Sequence, residues 1–314
     1  MTAHAGYAPS GWFEGFLDRI ATCNRHDLGR FVPLRVAARD AVAPDARVGA
    51  VRRDRLQCLA GSGIEVAGDT AWLPAENREA RDARLAALVA MLADVGQIRP
   101  ATGERYAVAT AVGQEPVAVV DRAAVAWLGV AASGVHVNGY VRRADGAVDM
   151  WVAIRSRDKA TFPGMLDNMV AGGQGVGVGY AENVVKECGE EAGIPADVAR
   201  RARAVGAVRY VYENETGLKP DTMFCFDLEL PADFVPTPTD GEVERFELWP
   251  LEAVAERVAR STDFKFNCNL VVIDFLLRHG RLDPDDPRYP AIVDGLHRGP
   301  PRFALPAEDG SPRS

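Results

Sequence analysis

From residue 171 to 194 the chain reads Ala-Gly-Gly-Gln-Gly-Val-Gly-Val-Gly-Tyr-Ala-Glu-Asn-Val-Val-Lys-Glu-Cys-Gly-Glu-Glu-Ala-Gly-Ile. The glycines cannot continue a regular element, whereas the stretch after them is helical. Ala181, Val184, Val185, Cys188 and Ala192 recur on one side of a 3.6-residue turn. A strand therefore enters a Gly-rich loop and a helix leaves it, which calls for an α/β arrangement. On that helix Glu187, Glu190 and Glu191 stand at i, i+3 and i+4, within one narrow stripe. Such carboxylates repel one another unless cations neutralise them. Hard oxygen donors suit Mg²⁺ or Mn²⁺, and a diphosphate substrate would complete the metal shell. The plain alternative is a solvated acidic helix face.

Spacing excludes two other phosphate loops. A Walker A loop ends in Lys-Ser or Lys-Thr, and neither follows these glycines. A dinucleotide fingerprint needs Gly at relative positions 0, 2 and 5. Counted from Gly173 the last falls on Val178, and from Gly175 on Tyr180.

At 314 residues the chain exceeds one small module, and 47% hydrophobic with 25% charged residues are globular proportions. No apolar run reaches the roughly 18 residues of a membrane span. Residues 1–12 hold no Lys or Arg and do not read as a signal peptide. A net charge of −8 argues against nucleic acid, which needs a basic face. Cys23, Cys58, Cys188, Cys225 and Cys268 are scattered and form no C-x-x-C, as expected of small buried hydrophobes in a reducing cytoplasm.

Residues 1–133 are rich in Ala and Arg. Leu85, Leu88, Val89, Leu92 and Val95 predict a helix over 78–95 capped by Gly96. Short strands are expected over 47–51 and 105–111, and Asp121 would cap a short helix. From Gly134 the period changes to two. Segments 137–143 and 148–155 form a hairpin across Ala144-Asp145-Gly146. Segments 207–212 and 223–230 form a second pair, with Phe224, Phe226, Leu228 and Leu230 on one face. Helices are predicted over 181–192, 251–260 and 267–278. A Pro-rich tail, 286–314, is expected to hold little regular structure beyond about 299. The domains are thus 1–133, 134–285 and the tail.

Gly172 and Lys186-Glu-Cys-Gly-Glu-Glu-Ala-Gly-Ile194 resemble the Nudix box, G-x5-E-x7-R-E-U-x-E-E-x-G-U, where U is bulky and apolar. In that register Glu187, Glu190 and Glu191 are the metal carboxylates. Val178 stands where the box has its first Glu, and Lys186 where it has Arg, without the planar guanidinium fork. Lys159-Ala-Thr-Phe-Pro-Gly-Met-Leu-Asp-Asn-Met-Val-Ala-Gly-Gly173 and Pro238-Thr-Asp-Gly-Glu-Val-Glu244 are similar to the Nudix subgroup related to the Nudix half of yeast thiamin pyrophosphokinase. That subgroup carries an N-terminal extension resembling 13–133, with Asp121-Arg-Ala-Ala and Gly134-Val-His-Val-Asn-Gly-Tyr140 near its end.

The resemblance implies an α/β (α+β) Nudix fold, a mixed sheet sandwiched between helices, behind a smaller α/β N-terminal domain that shapes the substrate cleft. It implies hydrolysis of thiamin diphosphate or its oxidised forms to monophosphates, with Mg²⁺ (or Mn²⁺) held by Glu187, Glu190 and Glu191. Glu190, Glu191 and Glu242 form the expected catalytic set, with Glu190 or Glu242 as proton acceptor. Glu242 follows the turn Asp240-Gly241, where Nudix enzymes often place a further carboxylate; Glu244 is its reserve, and exposed edge-strand charge is the alternative. Arg155 and Lys159 would grip phosphate oxygens beside Gly172 and Gly173. His136 reads as a structural hydrogen-bonding residue, and Trp127, Trp151 and Tyr210 as core. The expected partner is a small-molecule diphosphate, with neither nucleic acid nor membrane; a homodimer is allowed, and the location is cytoplasmic. Competing readings are a hydrolase of ADP-ribose or NADH type and a non-catalytic Nudix-fold sensor. Val178 and Lys186 favour the sensor; the three carboxylates oppose it.

Overall fold

A computed structural model describes residues 7–36, 46–74 and 77–297. Helix α1 (Phe13–Cys23) buries Phe13, Phe16 and Ile20, which recur on one face. Strands β1 (Phe31–Val36), β2 (Arg47–Arg52), β3 (Glu65–Ala67) and β4 (Thr70–Leu73) form a sheet of order β2-β1-β4-β3. Helix α2 (Arg78–Asp94) shares its core: Leu85, Leu88, Val89 and Leu92 join Val32, Leu34 and Leu73. Asn77 starts α2 by accepting the Ala80 N–H at 2.9 Å, and Gly96 follows its end at φ 70°. Next come the antiparallel strands β5 (Arg105–Val108) and β6 (Ala118–Asp121). The strand expected over 105–111 thus stops at Val108. Asp121 caps the one-turn helix α3 (Arg122–Val125) through the Ala123 N–H, as expected.

The alternating segments beyond residue 132 all enter one sheet. In chain order its strands are β7 (Ser133–Arg142), β8 (Val148–Arg155), β9 (Leu166–Asn168) and β10 (Val170–Gly173). Helices α4 (Tyr180–Ala192) and α5 (Ala196–Ala199) follow, then β11 (Arg203–Glu213), β12 (Leu218–Glu229) and β13 (Val243–Pro250). Helices α6 (Leu251–Arg260), α7 (Cys268–Arg278) and α8 (Tyr289–His297) complete the described chain. The main order is β11-β12-β7-β8-β13, with β10 on β7 and β9 on β8. Only β12–β7 is a parallel pair, so the sheet is mixed.

Period two sends side chains to two separate cores. Val135, Val137, Trp151, Phe226 and Leu228 pack with α4 and α5. Tyr140, Met150, Val152, Tyr210 and Met223 pack with α1, α6, α7 and α8. The sheet is therefore sandwiched between helices, as the family resemblance implied. Two elements cross the expected divisions. Helix α1, from within 1–133, packs into the second core, and so does α8, from within 286–314, through Ile292 and Leu296. Full burial of each such side chain stabilises by roughly 1.5–3 kcal/mol, so residues 289–297 are core and not tail. The stretch beyond 299 lies outside the described residues. Among the described residues no helix is long and apolar enough to cross a membrane.

Candidate active site

The loop between β10 and α4 is folded back on the helix it precedes. The Asn183 side chain donates to the Gly173 carbonyl at 2.9 Å, and the Gln174 amide to the Val178 carbonyl at 2.6 Å. Helix α4 ends where Gly193 adopts φ 61°, letting the Ile194 N–H reach the Cys188 carbonyl at 3.0 Å while the Ile194 side chain is buried. That geometry requires Gly followed by an apolar residue. Two loop glycines are fixed by close approach. A Cβ on Gly172 would collide with the Glu187 carboxyl, and one on Gly173 with the Tyr106 hydroxyl. Gly172→Ala is expected to cost about 1–3 kcal/mol in chemical denaturation, because the overpacked carboxyl must move; an unchanged midpoint would show that Glu187 yields freely.

Strand β10 and helix α4 bring the three box glutamates together in graded environments. Glu190 is half exposed and takes the Lys186 ammonium at 2.6 Å; the same ammonium lies 3.1 Å from the largely buried Glu187. Lys186 thus bridges two carboxylates as a point charge where the box pattern has a fork. Glu191 is buried and accepts the Ala171 N–H at 2.9 Å. Burial pushes the Glu191 carboxyl up to about 8 against that hydrogen bond, and the charges of Asp167, Glu187 and Glu242 add to the rise. Burial also raises Glu187; Lys186 opposes the shift, and Glu190 and Glu242 reinforce it. The charge of Glu242 thus acts on both Glu187 and Glu191, and Lys159 tethers it at 2.6 Å. Glu244 instead pairs with Arg157 and Arg245. Buried carboxylates held above their ordinary range, with Lys186 as the cation against two of the three, fit a divalent ion by charge and by donor hardness.

A second cluster lies beneath. Ligand atoms of His136, Asp167 and Cys268 are all within 4.8 Å of one another and buried. This group is already satisfied by other means. Asp167 takes Arg155 at 2.7 Å, Lys265 at 3.2 Å and the Cys268 thiol at 2.6 Å, and His136 Nδ1 lies 2.9 Å from Asn168 Oδ1. Burial raises the Cys268 thiol well above its ordinary pKa, so it is a neutral donor. His136 is structural, as the sequence reading held.

Arg155 needs correction. Its guanidinium is committed elsewhere: Nη1 meets Asp167, while Nε and Nη2 donate to the carbonyls of Phe162 and Thr161 at 3.1 and 3.0 Å. It clamps the loop after β8 against the buried network. That loop contains Phe162 at φ 53°, the one non-glycine with positive φ among the described residues, a conformation that costs about 1–3 kcal/mol unless neighbours hold it. Lys159, on the same loop, pairs instead with Glu242 at 2.6 Å. Trp127, Trp151 and Tyr210 are core, as expected. Val178 sits on the exposed side of the loop. The sequence reading missed Tyr106, which has no motif around it.

By its relatives the chain is a pyrophosphatase-type hydrolase. The chain belongs to the Nudix family: the family profile described as NUDIX domain matches residues 132–270. Nudix hydrolase 20, chloroplastic, from Arabidopsis thaliana is 39% identical over 296 residues, spanning 92% of this chain and 79% of that protein. Nudix hydrolase 24, chloroplastic, from the same plant is 38% identical over 303 residues, spanning 93% and 81%. Among solved structures, DR0079 from Deinococcus radiodurans matches 50% of this chain and 91% of its own, with a TM-score of 0.38 and 21% identity. Nudix hydrolases generally use divalent metal ions. The cytoplasmic expectation is overturned, since both plant relatives are named chloroplastic.

Proposed function

We propose that this hydrolase cleaves the diphosphate bond of a small organic diphosphate to release a monophosphate, and that thiamin diphosphate or its oxidised forms are its substrates. The observation that carries the reading is the set of glutamates against the Gly172 loop: the Glu187 carboxyl closes on Gly172, and the buried Glu191 accepts the Ala171 N–H. Glu187, Glu190 and Glu191 would hold Mg²⁺ or Mn²⁺, which when bound polarises the phosphoryl group and lowers the pKa of a water. Glu191 is kept in place by the Ala171 N–H. Glu242 is half exposed and tethered by Lys159, which suits it to accept a proton from attacking water; Glu190 is the other acceptor. The backbone of Gly172 and Gly173 would line the floor beneath the phosphates.

Support for thiamin-type substrates comes from the strings 159–173 and 238–244, and from the N-terminal domain, whose Tyr106 packs on the box loop. An acidic chain also suits a diphosphate joined to a cationic or neutral ring. A panel of thiamin diphosphate, its oxidised analogues, ADP-ribose, NADH and nucleoside triphosphates, scored by monophosphate release, tests the reading. Thiamin-type compounds are expected to give the highest kcat/KM, the oxidised ones above the intact cofactor, and excess EDTA is expected to abolish turnover. If ADP-ribose or a nucleotide exceeds every thiamin compound by roughly tenfold, about 1.4 kcal/mol, the substrate assignment fails. Full turnover in EDTA would remove the metal.

A further inference from the structure

We infer that Arg122 and Tyr106 form a phosphate-binding arm, by which the N-terminal domain completes the active site. This deepens the hydrolase reading and rests on it. Strand β5 docks directly on the box loop: the Val176 N–H donates to the Arg105 carbonyl at 2.9 Å. The next residue, Tyr106, is nearly buried, and its hydroxyl fills the space a side chain at Gly173 would need. Among the described residues that hydroxyl has no hydrogen-bond partner, so its donor is unspent at the edge of the phosphate loop. The ring is fixed by burial in the N-terminal core with Val108, Val120 and Val125.

Arg122 begins the helix that Asp121 caps, one strand away across the β5–β6 pair. Its Nη1 donates to both carboxylate oxygens of Glu104 at 2.9 and 3.0 Å. Its Nε and Nη2 have no partner among the described residues, and about half of the side chain is exposed. Burial lowers the Arg122 pKa, but Tyr106, Glu104 and Glu242 outweigh it, so the guanidinium lies within electrostatic reach of the cleft carboxylate. An incoming diphosphate brings negative charge to a rim already rich in glutamate. The other cations there are largely committed: Arg155 to Asp167 and two carbonyls, Lys159 to Glu242, Lys186 to Glu187 and Glu190. Arg122 retains the planar donor edge that matches a phosphate bidentately. Its pairing with Glu104 is an exposed one, of a kind worth only about 0–1 kcal/mol to the fold. Glu104, which holds Nη1 at both its oxygens, then acts as a positioning residue for that edge.

The test uses the full chain and methylenediphosphonate, a diphosphate that cannot be hydrolysed, titrated calorimetrically with Mg²⁺ present, alongside KM and kcat for whichever organic diphosphate the wild type turns over. Arg122→Ala is expected to weaken diphosphonate binding and raise KM by at least fivefold, with the melting temperature unchanged. Arg122→Lys should recover part of the loss, because charge returns without the fork. Tyr106→Phe, which keeps the ring in the core, should shift KM in the same direction. If Arg122→Ala binds within fivefold of a wild type that hydrolyses organic diphosphates, this inference alone is overturned. A wild type that hydrolyses none of them sinks the hydrolase reading and this inference together.

Discussion

Glu191→Gln is expected to lower kcat at least tenfold, about 1.4 kcal/mol in the barrier, while leaving the fold as stable or more stable. The amide has the shape of the carboxyl, and its carbonyl oxygen can still accept the Ala171 N–H. What disappears is the charge, and in the metal-free protein that charge is a burden. The folded pKa, about 8, lies above the unfolded value near 4.3. The folded state therefore binds a proton that the unfolded chain releases, and metal-free stability declines as pH rises between those values. Removing the group removes that decline. A divalent cation that binds only the folded wild type should raise its melting temperature, and should do so less in the variant. Glu190→Gln should cost comparable activity, but with little change in stability, because Glu190 is half exposed. Steady-state kinetics and melts with and without Mg²⁺ decide the matter. Near-wild-type rates in both variants would reduce the helix face to a solvated one.

The site was legible in the sequence where its parts are local. Gly172 and Glu187 are fifteen residues apart, yet loop and helix are consecutive, so one motif contains the close approach of the Glu187 carboxyl to Gly172. Helix α6 matches its predicted bounds because Leu251, Val254, Ala255, Val258 and Ala259 form an uninterrupted apolar stripe after Pro250. Period two likewise assigned the face of β12 correctly: Phe226, Leu228 and Leu230 share one core with Phe224 packed against it, and Met223 and Cys225 lie in the other. What failed to show depends on contacts between distant segments. Nothing in α1 or α8 says which surface an amphipathic helix will cover. The parallel β12–β7 pairing joins Thr222 to Ser133 across 89 residues with no local signal. Arg155 was read as a phosphate ligand because its strand feeds the box. Its actual partners, two loop carbonyls and Asp167, converge only once that loop turns back through Phe162. Tyr106 reaches Gly173 by docking of the N-terminal domain, which no spacing encodes.

The buried network under the site gives the largest expected loss of stability. Asp167→Asn is expected to cost about 3–5 kcal/mol, because removing one partner of a buried ion pair leaves the other uncompensated. Here two cations lose their counter-charge, Arg155 at 2.7 Å and Lys265 at 3.2 Å, and the Cys268 thiol loses an acceptor. Burial pushes the Asp167 carboxyl up, yet Lys265 and Arg155 outweigh it and hold it well below the ordinary carboxylate range. Its folded pKa is depressed, so its contribution is present above the unfolded value near 3.9 and is lost as pH falls below it. His136 makes the acid limb begin earlier. Burial first, and then Lys265, push its pKa down to about 4, so the folded protein keeps the ring neutral while the unfolded chain protonates it near 6.5. Between those values the wild type should lose up to about 3 kcal/mol. His136→Gln, which cannot take up that proton, should flatten the slope from pH 6.5 to 4 without removing the steeper fall below. Urea unfolding across that range measures both effects. A His136→Gln curve parallel to wild type, or an Asp167→Asn loss below about 1 kcal/mol, would mean that water reaches these groups and screens them. Because Asp167 also anchors the Arg155 clamp on the loop that carries Lys159, the Asn variant should loosen the tether on Glu242 and raise KM even at temperatures where it remains folded.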